Sequence, residues 1–518
     1  MNIKVCSKKL KFTLNLYLSS IFFFWTSGQM KTLFLLAAFT IILVCSDANP
    51  VKSYKISKNR LIRGRPWHGF VKKPPVDPRT PKSPTYYHDS KVDNFDSSNT
   101  KTYKQRYWYN EKWYKPGGPQ FLMIGGEAAE SSAWVDSGNV EWTIIAKEVG
   151  AMVFDLEHRF YGDSQPTGDL TFESLKYLTS EQALADVKHF ILDMNAKFNF
   201  TSPRWITFGG SYPGALSAWA RQTYPDTIYA AVASSGPVQA VVDFTGYLDV
   251  VYNALNNYDP KCSASVHTGF LQINELMKTE DGRKTLSTFF NTCDTIKGDS
   301  DTINYFYESI IGTYMGQVQY SDPTTIPYLC QLQTSSGDDL QGVVAVNQME
   351  SQGCLDVNYQ EYIDFMKDTS VNAEGVEYRA WVWQTCNEFG FYQSTDSSLV
   401  TGDFTGADIP VDWYVQQCAQ IYDASMENTT VYANIKNTNK HYLGQKGYNG
   451  TKVVFPNGTN DPWHVLSVLS PTNSKTYPVI IDGTSHCADM YGPRSDDPTS
   501  LTEGRKKIHS HVISWVNE

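Results

Sequence analysis

Three side chains of this chain have the types and the order that nucleophilic catalysis requires. Ser211 lies in the glycine-rich stretch of residues 209–214, and Asp461 and His486 follow together about 250 residues later. In such a set the serine attacks a carbonyl, the histidine takes its proton, and the acid orients the imidazole and stabilises the imidazolium. Two alternatives remain open: Asp461, before a proline, could form an Asx turn, and His464 could be the base.

Each of these residues follows a short apolar run that predicts a buried strand. The runs are residues 204–208 before Ser211, 452–458 before Asp461 and 477–483 before His486. A helix-like run, residues 215–224, follows the serine, so the local order is strand, sharp turn, helix. This order is typical of an α/β-hydrolase, in which the serine lies on a strained turn and the acid and histidine follow on later strands.

The turn itself departs from the usual Gly-x-Ser-x-Gly spacing. Pro213 occupies the position of the second glycine, and Gly214 comes one residue later. Glycines are expected here because a strained turn between a strand and a helix leaves little room for a Cβ. An ordinary Gly-Ser loop is the alternative interpretation of this stretch alone.

The long interval between the serine and the acid predicts a large insertion. A bare α/β-hydrolase needs far fewer residues there, and residues 266–277 and 359–366 have helical patterns. We therefore predict an α/β-hydrolase fold with a helical cap, residues 241–429, inserted between nucleophile and acid. Residues 86–240 and 430–518 would form the α/β-hydrolase domain.

The segments around Ser211, Asp461 and His486 resemble one family of serine exopeptidases. Its members include lysosomal Pro-X carboxypeptidase, dipeptidyl peptidase II and thymus-specific serine protease, and among these the match is closest to the last. Further matching segments are residues 92–96, 104–107, 157–162 and 383–390, and Asn94 stands where the family usually has histidine. The resemblance implies hydrolysis of peptide bonds near a chain terminus, often after proline, through an acyl-enzyme and without a cofactor.

The fold and the resemblance also suggest residues that would bind the substrate. The N–H of Tyr212, directly after the nucleophile, is expected in the oxyanion hole, and Gly126 is the second donor by analogy with serine carboxypeptidases. Glu127 is a candidate for binding a charged terminus of the substrate, although a surface glutamate or a partner of Arg159 is an alternative. Three residues in or beside a family-matching segment are candidates for lining the cleft, or else for core packing: Trp383, Glu388 and Tyr392.

Cysteine usage indicates an oxidising compartment. Six cysteines lie between the nucleophile and the acid, and none has the spacing of a metal site. Sequence alone does not pair them, but the resemblance implies three disulfides: Cys262–Cys330, Cys293–Cys354 and Cys386–Cys418. Cys487, beside His486, is interpreted as a small buried residue rather than a catalytic thiol.

The N-terminal region carries targeting signals. Residues 30–48 have a lysine, an uncharged apolar run and a small-residue end, which is typical of a signal peptide. Residues 1–29 would then be a gene-model extension, with two membrane helices as the alternative. Residues 49–85 are basic and proline-rich and predict an extended or removable leader. Glycosylation is predicted at three sequons, Asn199, Asn428 and Asn449, whereas Asn457 lies on the acid's loop.

Composition limits the partners. The chain has 518 residues, 41% of them hydrophobic, with a net charge of −10 and a pI near 5.5. An acidic chain argues against nucleic acid as a partner, and we expect peptide substrates, no membrane span in the mature chain and a secreted or lysosomal location. A homodimer is compatible with these features. A catalytically silent α/β-hydrolase that binds a partner is the alternative function, and a lipase or esterase is a third.

Overall fold

The computed structural model describes residues 60–349, 353–396 and 404–518. The expected signal peptide (residues 30–48), the extension before it and the first part of the expected leader lie outside these ranges. The described residues, from Arg60 onward, belong to one compact unit. In the parts of the chain that the structure describes, no helix has the length and apolar character needed to cross a membrane.

An eight-stranded sheet in the order β1-β2-β4-β3-β5-β6-β9-β10 forms the centre of the fold. The pairings of β1 with β2 and of β2 with β4 are antiparallel, and all the others are parallel. Strands β3 and β4 are buried along their whole length, as expected for parallel strands covered on both faces. The bounds are Tyr86–Lys91 (β1), Thr102–Asn110 (β2), Gln120–Ile124 (β3), Met152–Leu156 (β4), Trp205–Gly210 (β5), Ala230–Ser234 (β6), Val241–Asp243 (β7), Gly390–Tyr392 (β8), Val453–Gly458 (β9) and Thr476–Ile481 (β10).

Helices of the first half of the chain cover this sheet. They are Ala133–Asp136 (α1), Glu141–Val149 (α2), Phe172–Leu175 (α3), Ser180–Phe198 (α4) and Tyr212–Thr223 (α5). The sequence predicts α4 over the same residues, because apolar side chains recur on one face, and Leu184, Val187 and Ile191 are buried there. The helix begins where the Thr179 side chain accepts a hydrogen bond from the Gln182 N–H.

A long helical region lies between β6 and β9 in the sequence. Its helices are Gly246–Tyr258 (α6), Pro260–Met277 (α7), Glu280–Phe289 (α8), Ser300–Gln319 (α9), Thr325–Ser335 (α10), Asp339–Gln348 (α11), Tyr359–Met366 (α12), Val376–Gln384 (α13), Val411–Ile421 (α14), Asn428–Tyr442 (α15) and Gly444–Gly447 (α16). Strands β7 and β8 form a separate small sheet within it. All three expected disulfides are present: Cys262–Cys330, Cys293–Cys354 and Cys386–Cys418.

The C-terminal helix, Thr499–Asn517 (α17), closes the fold. Ile508, Val512 and Trp515 are buried on its inner face, as the sequence pattern predicts. They join a core cluster that includes residues of β3, β5 and β10, so the helix covers the sheet on the side of α2. This packing shows the α/β-hydrolase fold, with one face of the sheet supported by the end of the chain.

The expected leader is only partly extended. From Arg60 to Phe70 its residues are mostly buried, and Arg63, Arg65 and Phe70 are among the most enclosed side chains in the chain. Proline and basic residues predict an extended leader, but here all three guanidinium groups donate to buried or half-buried partners, although Nε of Arg60 and both Nε and Nη1 of Arg63 are buried without a hydrogen-bond partner among the described residues. Residues 76–85, in contrast, contain no helix or strand and are largely exposed.

The sequon asparagines differ in their accessibility. Asn199, Asn428 and Asn449 are exposed, whereas Asn457 is buried within β9. A glycan needs an exposed asparagine side chain. Glycosylation therefore stays a prediction for the first three residues, and the burial of Asn457 agrees with leaving it out.

Candidate active site

Ser211 lies on a sharp turn between β5 and α5. Its φ of 65° and ψ of −131° are unusual for a residue other than glycine. A Cβ at Gly209 would overlap the Pro213 backbone, and a Cβ at Gly214 would approach the Ser234 carbonyl to 2.5 Å. Pro213 is tolerated in the first turn of α5 because its missing N–H has no helical partner there. Gly214 thus performs the close-packing function of the displaced second glycine.

Asp461 and His486 follow β9 and β10 and meet at the edge of the sheet. His486 Nδ1 lies 2.8 Å from Asp461 Oδ1, and both side chains are fully buried. Asp461 also caps a short 3₁₀ turn, Pro462–Leu466, by accepting the Trp463 N–H at 3.0 Å. Asp461 therefore forms the Asx turn and contacts His486 at the same time, so the two interpretations do not exclude each other. His464 instead contacts the Asp461 carbonyl through Nδ1, so it does not share the carboxylate.

The histidine loop is attached to the turn that carries the serine. Ser211 N–H donates to the Ser234 carbonyl at 2.9 Å, and the Cys487 N–H donates to Ser235 Oγ at 2.9 Å. A Cβ at Gly210 would come within 2.9 Å of Cys487 Sγ, so only glycine fits against this loop. These contacts bring Ser211 and His486 to the same edge of the sheet, at the ends of β5 and β10.

Burial and nearby charge shift the pKa values of His486 and Cys487 at this edge of the sheet. Burial alone would lower the pKa of His486, but the Asp461 carboxylate outweighs it and raises that pKa well above its usual value. His486 Nε2 is buried and has no hydrogen-bond partner among the described residues. Burial raises the pKa of Cys487, a free thiol. Cys487 is therefore a free, buried thiol, in agreement with its interpretation as a small buried residue.

The two expected oxyanion donors lie on adjacent segments. Gly126 follows β3, and a Cβ at this position would overlap the Pro213 ring, so the loop packs directly against the start of α5. Tyr212 is the first residue of α5, and its hydroxyl contacts His158 Nε2 at 3.0 Å and Gln384 Nε2 at 2.9 Å. Burial lowers the pKa of His158 to about 4, so its imidazole is neutral in this contact.

Glu127 lies beside this edge and is buried. Pairing with Arg159 is wrong, because Arg159 binds Asp186 at 2.6 Å. Glu127 Oε1 accepts the Phe70 N–H at 2.8 Å, while Oε2 is buried without a hydrogen-bond partner among the described residues. Burial raises the pKa of Glu127, against the opposing effect of Arg65.

The three candidates near residue 390 lie in the packed interior. Trp383 Nε1 donates to the Leu178 carbonyl, and the Tyr392 hydroxyl contacts Cys418 Sγ. Glu388 accepts hydrogen bonds from the Ser180 N–H and hydroxyl at the start of α4. These internal contacts account for the side chains, and we do not assign Trp383, Glu388 or Tyr392 to the substrate cleft.

Gln319 is a site residue that the sequence analysis missed. It ends α9, and its backbone carbonyl accepts the His486 N–H at 3.0 Å. Its side-chain Oε1 accepts from Trp463 Nε1 at 2.8 Å and from the Tyr247 hydroxyl at 2.5 Å. Gln319 thus joins the loop of the acid to the loop of the histidine, and no local motif signals this role.

The family assignment follows from the whole sequence. The sequence profile described as "Serine carboxypeptidase S28" matches residues 90–508. The chain belongs to this family. Its members are serine-type peptidases. Separately, within the described residues no group of three His, Cys, Asp or Glu side chains is placed to hold a metal ion.

Curated relatives agree with this assignment. "Putative serine protease K12H4.7" of Caenorhabditis elegans is 43% identical over 94% of this chain and 100% of its own length. Human "Thymus-specific serine protease" is 34% identical over 82% of this chain and 85% of its own. Human "Lysosomal Pro-X carboxypeptidase" is 25% identical over 83% of this chain and 88% of its own. The resemblance stated from the motifs is confirmed.

Proposed function

We propose that the protein is a serine exopeptidase that hydrolyses peptide bonds near a chain terminus, with a preference for proline-containing peptides. Ser211 is the nucleophile, His486 the general base, and Asp461 the residue that orients the imidazole. The observation that carries the proposal is the 2.8 Å contact between His486 Nδ1 and Asp461 Oδ1 at the sheet edge that holds the strained Ser211 turn.

The proposed reaction proceeds through an acyl-enzyme. Ser211 Oγ attacks the carbonyl carbon while its proton moves to His486 Nε2, and the N–H groups of Tyr212 and Gly126 stabilise the oxyanion. His486 then gives the proton to the leaving amine as the C–N bond breaks. Water, deprotonated by His486, attacks the ester and regenerates the serine.

Action near a chain end is supported by the helical region between β6 and β9. Its residue Gln319 binds the His486 N–H, and Tyr247 of α6 packs edge-on against Trp463 on the loop of the acid. Helices thus cover the sheet edge that carries the triad residues. We infer that a long folded chain has no path past Ser211, whereas a free end can enter.

A preference for proline is supported by the aromatic side chains near the histidine. The ring of Trp463 lies 6.4 Å from that of His486, and Trp381 lies on the other side of Phe70. Flat aromatic faces favour contact with a compact apolar ring such as that of proline. A relative whose name specifies Pro-X cleavage points in the same direction.

A secretory or lysosomal location is proposed from chemistry and from relatives. Three disulfides persist in oxidising compartments and are rare in the cytosol. One relative is named lysosomal. Mass spectrometry of the protein isolated from medium and from lysosomes should find it there with Asn199, Asn428 and Asn449 glycosylated, and unglycosylated cytosolic protein would contradict this.

A fluorophosphonate probe tests the catalytic assignment directly, because it reacts only with an activated serine. The chain should be labelled at Ser211, and Ser211→Ala and His486→Ala should abolish labelling and hydrolysis, whereas His464→Ala should retain most of both. Loss of activity in His464→Ala with retention in His486→Ala would overturn the assignment of the base. A folded chain that never reacts would support a binding protein instead.

A panel of short proline-containing peptides tests the exopeptidase mode. Peptides blocked at the N-terminus, at the C-terminus or at both ends should be cut at different rates, because one charged end must enter the cleft. We expect the doubly blocked peptide to be the poorest substrate. Equal cleavage of blocked, free and folded substrates would contradict terminal recognition.

A further inference from the structure

The first residues that the structure describes cross from the helical region to the triad. We call residues 60–75 the N-terminal segment. At its start the Arg60 guanidinium pairs with Glu308 and lies 3.5 Å from the centre of the Tyr305 ring. Arg63 donates to the Gln417 side chain at 2.8 Å. Both partners belong to the helical region, so this end of the segment is firmly held.

The middle of the N-terminal segment is attached to α9, to the loop after β3 and to α13. The Gly64 carbonyl accepts from Gln319 Nε2 at 3.1 Å. Arg65 donates twice to the Glu127 carbonyl, at 2.8 and 2.5 Å, and pairs with the Glu377 carboxylate at 2.8 Å. Gln319 and Glu127 are the residues that flank His486, so the segment binds the walls of the candidate active site.

Phe70 is the residue of this segment that reaches the histidine. Its ring is 1% exposed and stands edge-on to three rings: His486 at 5.9 Å, Trp463 at 5.0 Å and Trp381 at 5.2 Å between centroids. Its N–H donates to Glu127 Oε1. The Phe70 ring therefore fills the apolar space beside His486, and the Phe70 N–H donates to one of the two carboxylate oxygens of Glu127.

The reactive groups are buried, and Phe70 of the segment lies against His486 without pairing its Nε2. Ser211 and His486 are only 1% and 4% exposed. His486 Nε2 and Glu127 Oε2 are buried and lack hydrogen-bond partners among the described residues. A buried polar atom left unpaired destabilises the folded state. We infer that a bound substrate would form hydrogen bonds with these two atoms. The segment occupies the same space but does not form those hydrogen bonds.

The charge of the segment suits reversible binding to this protein. It contains three arginines, two lysines and no acidic residue, whereas the whole chain has a net charge of −10. All three of its arginines pair with carboxylates of the helical region, Arg60 and Arg63 with Glu308 and Arg65 with Glu377. The attraction is largely electrostatic at one end and aromatic at the other, so it does not require a covalent link to the rest of the chain.

The connection after the segment is open to proteolysis. Residues 76–85 contain no helix or strand, and the Arg79 side chain is 90% exposed. The connection is fixed at both ends, where Ser137 Oγ donates to the Pro75 carbonyl and Ser83 binds Asp136. Exposed loops of this kind are preferred sites of cleavage.

We propose that the N-terminal segment is a built-in inhibitor that occupies the peptide-binding cleft, and that cleavage in residues 76–85 releases it. The inference rests on the proposed function. A second protease specific for basic residues would hydrolyse one peptide bond after Arg79 or Lys82, with water as the co-reactant. The segment would then be held only by non-covalent contacts and would exchange with substrate.

Labelling of the full chain before and after limited trypsin cleavage tests this proposal. Cleavage should raise the rate of fluorophosphonate labelling of Ser211 by about tenfold or more, because the fraction of open sites limits the rate. The double variant Arg79→Gln, Lys82→Gln should resist cleavage in this loop and stay slow. Equal labelling of the intact and cleaved chains would overturn the proposal.

Phe70→Ala tests the contact at the histidine without any cleavage. The uncleaved variant should be labelled faster than the parent chain, since the ring beside His486 is gone. Phe95→Ala is the matched control, because Phe95 is 55% exposed, and it should leave the rate unchanged. A Phe70→Ala chain that keeps its melting transition and reacts no faster than Phe95→Ala would count against the inhibitor.

A synthetic peptide of residues 60–75 provides a readout that does not depend on catalysis. It should bind the cleaved, washed protein and should protect Ser211 from the probe, and the same peptide with Phe70→Ala should bind more weakly. Failure to bind would overturn the proposal even if the protein is a peptidase. If the peptide binds tightly but Ser211 never reacts with the probe, the binding site of the segment would be supported and the proposed function would be contradicted.

Discussion

At the scale of single residues, local backbone geometry positions Ser211, Asp461 and His486, the residues that we propose as the catalytic set. Ser211 needs glycines beside it, and Asp461 and His486 need short strands before them, and both requirements leave visible patterns. Glu127 and Phe70 differ in this respect. Their roles come from burial against partners far along the chain, which no spacing rule encodes.

Gly126→Ala tests the oxyanion donor that the fold suggests. The added Cβ would overlap the Pro213 ring, so the loop must move away from Ser211. We expect kcat to fall by about 10²–10³-fold, the loss that follows removal of one donor, with little change in KM. Gly168→Ala is the matched control, since a Cβ there meets no atom within 4 Å. A normal kcat in Gly126→Ala would contradict the assignment.

Glu127→Gln tests recognition of the substrate's charged end. The variant keeps the shape and the contact with the Phe70 N–H but removes the negative charge. We expect KM to rise about tenfold for peptides with a free α-amino group and to change little for N-blocked peptides. Steady-state kinetics on the two series gives the comparison. An equal rise for both would assign Glu127 to structure alone.

At the scale of elements, the spacing of apolar residues predicted those helices and strands whose burial pattern can be recognised within the element itself. Helix α4, strands β3 and β4 and helix α17 lie where their apolar patterns indicate, because the two helices bury one face and the two strands are buried along their whole length. The π-helical turn Thr385–Phe389 and the packing of the N-terminal segment were not predicted. Both depend on contacts between residues that are far apart in the sequence. In the π-helical turn, Glu388 accepts a hydrogen bond from the Ser180 N–H, and in the N-terminal segment, Arg65 donates to the Glu127 carbonyl.

Gln319→Leu tests the link between α9 and the loops of the triad. Leucine removes the acceptor for Trp463 Nε1 and the Tyr247 hydroxyl, and each buried unpaired donor costs about 1–3 kcal/mol. We expect a lower melting temperature and a lower kcat in the cleaved protein. The control Gln416→Leu lies on an exposed face of α14. Gln319→Glu, which keeps the acceptor, should restore much of the kcat, and no restoration would assign the loss to folding alone.

At the scale of the whole molecule, we expect buried carboxylates to favour the native state at acidic pH, although the lowered pKa of buried His158, about 4, acts in the opposite direction. Burial raises the pKa of Glu388 to about 7 and that of Asp489 to about 6, although Ser180 and Ser234 donate to them. Neither group is near the surface. A protein with such groups keeps its native state best where these acids are protonated, which agrees with a proposed lysosomal location.

The sign of this effect follows from linkage. In the native state Glu388 binds its proton more tightly than in the unfolded chain, where its pKa is near 4.5. Between about pH 4.5 and 7 the native state therefore holds more protons, and stability falls as pH rises through this window. For one fully buried group the loss is on the order of 3 kcal/mol. Asp489 adds a loss in the same direction at slightly lower pH.

Thermal unfolding between about pH 5 and 7.5 checks this prediction. The parent chain should melt at a higher temperature at the acidic end, by a few degrees, because each kcal/mol moves the transition of a unit of this size by about 1 °C. Glu388→Gln imitates the protonated acid, keeps an acceptor for Ser180, and should flatten the pH dependence by stabilising the neutral end. The control Glu503→Gln changes an exposed carboxylate paired with Lys506 and should leave the slope as it is. If Glu388→Gln instead melted lower than the parent at pH 7.5, the charged form would be the stabilising one, and burial of Glu388 would not be the source of the acid preference.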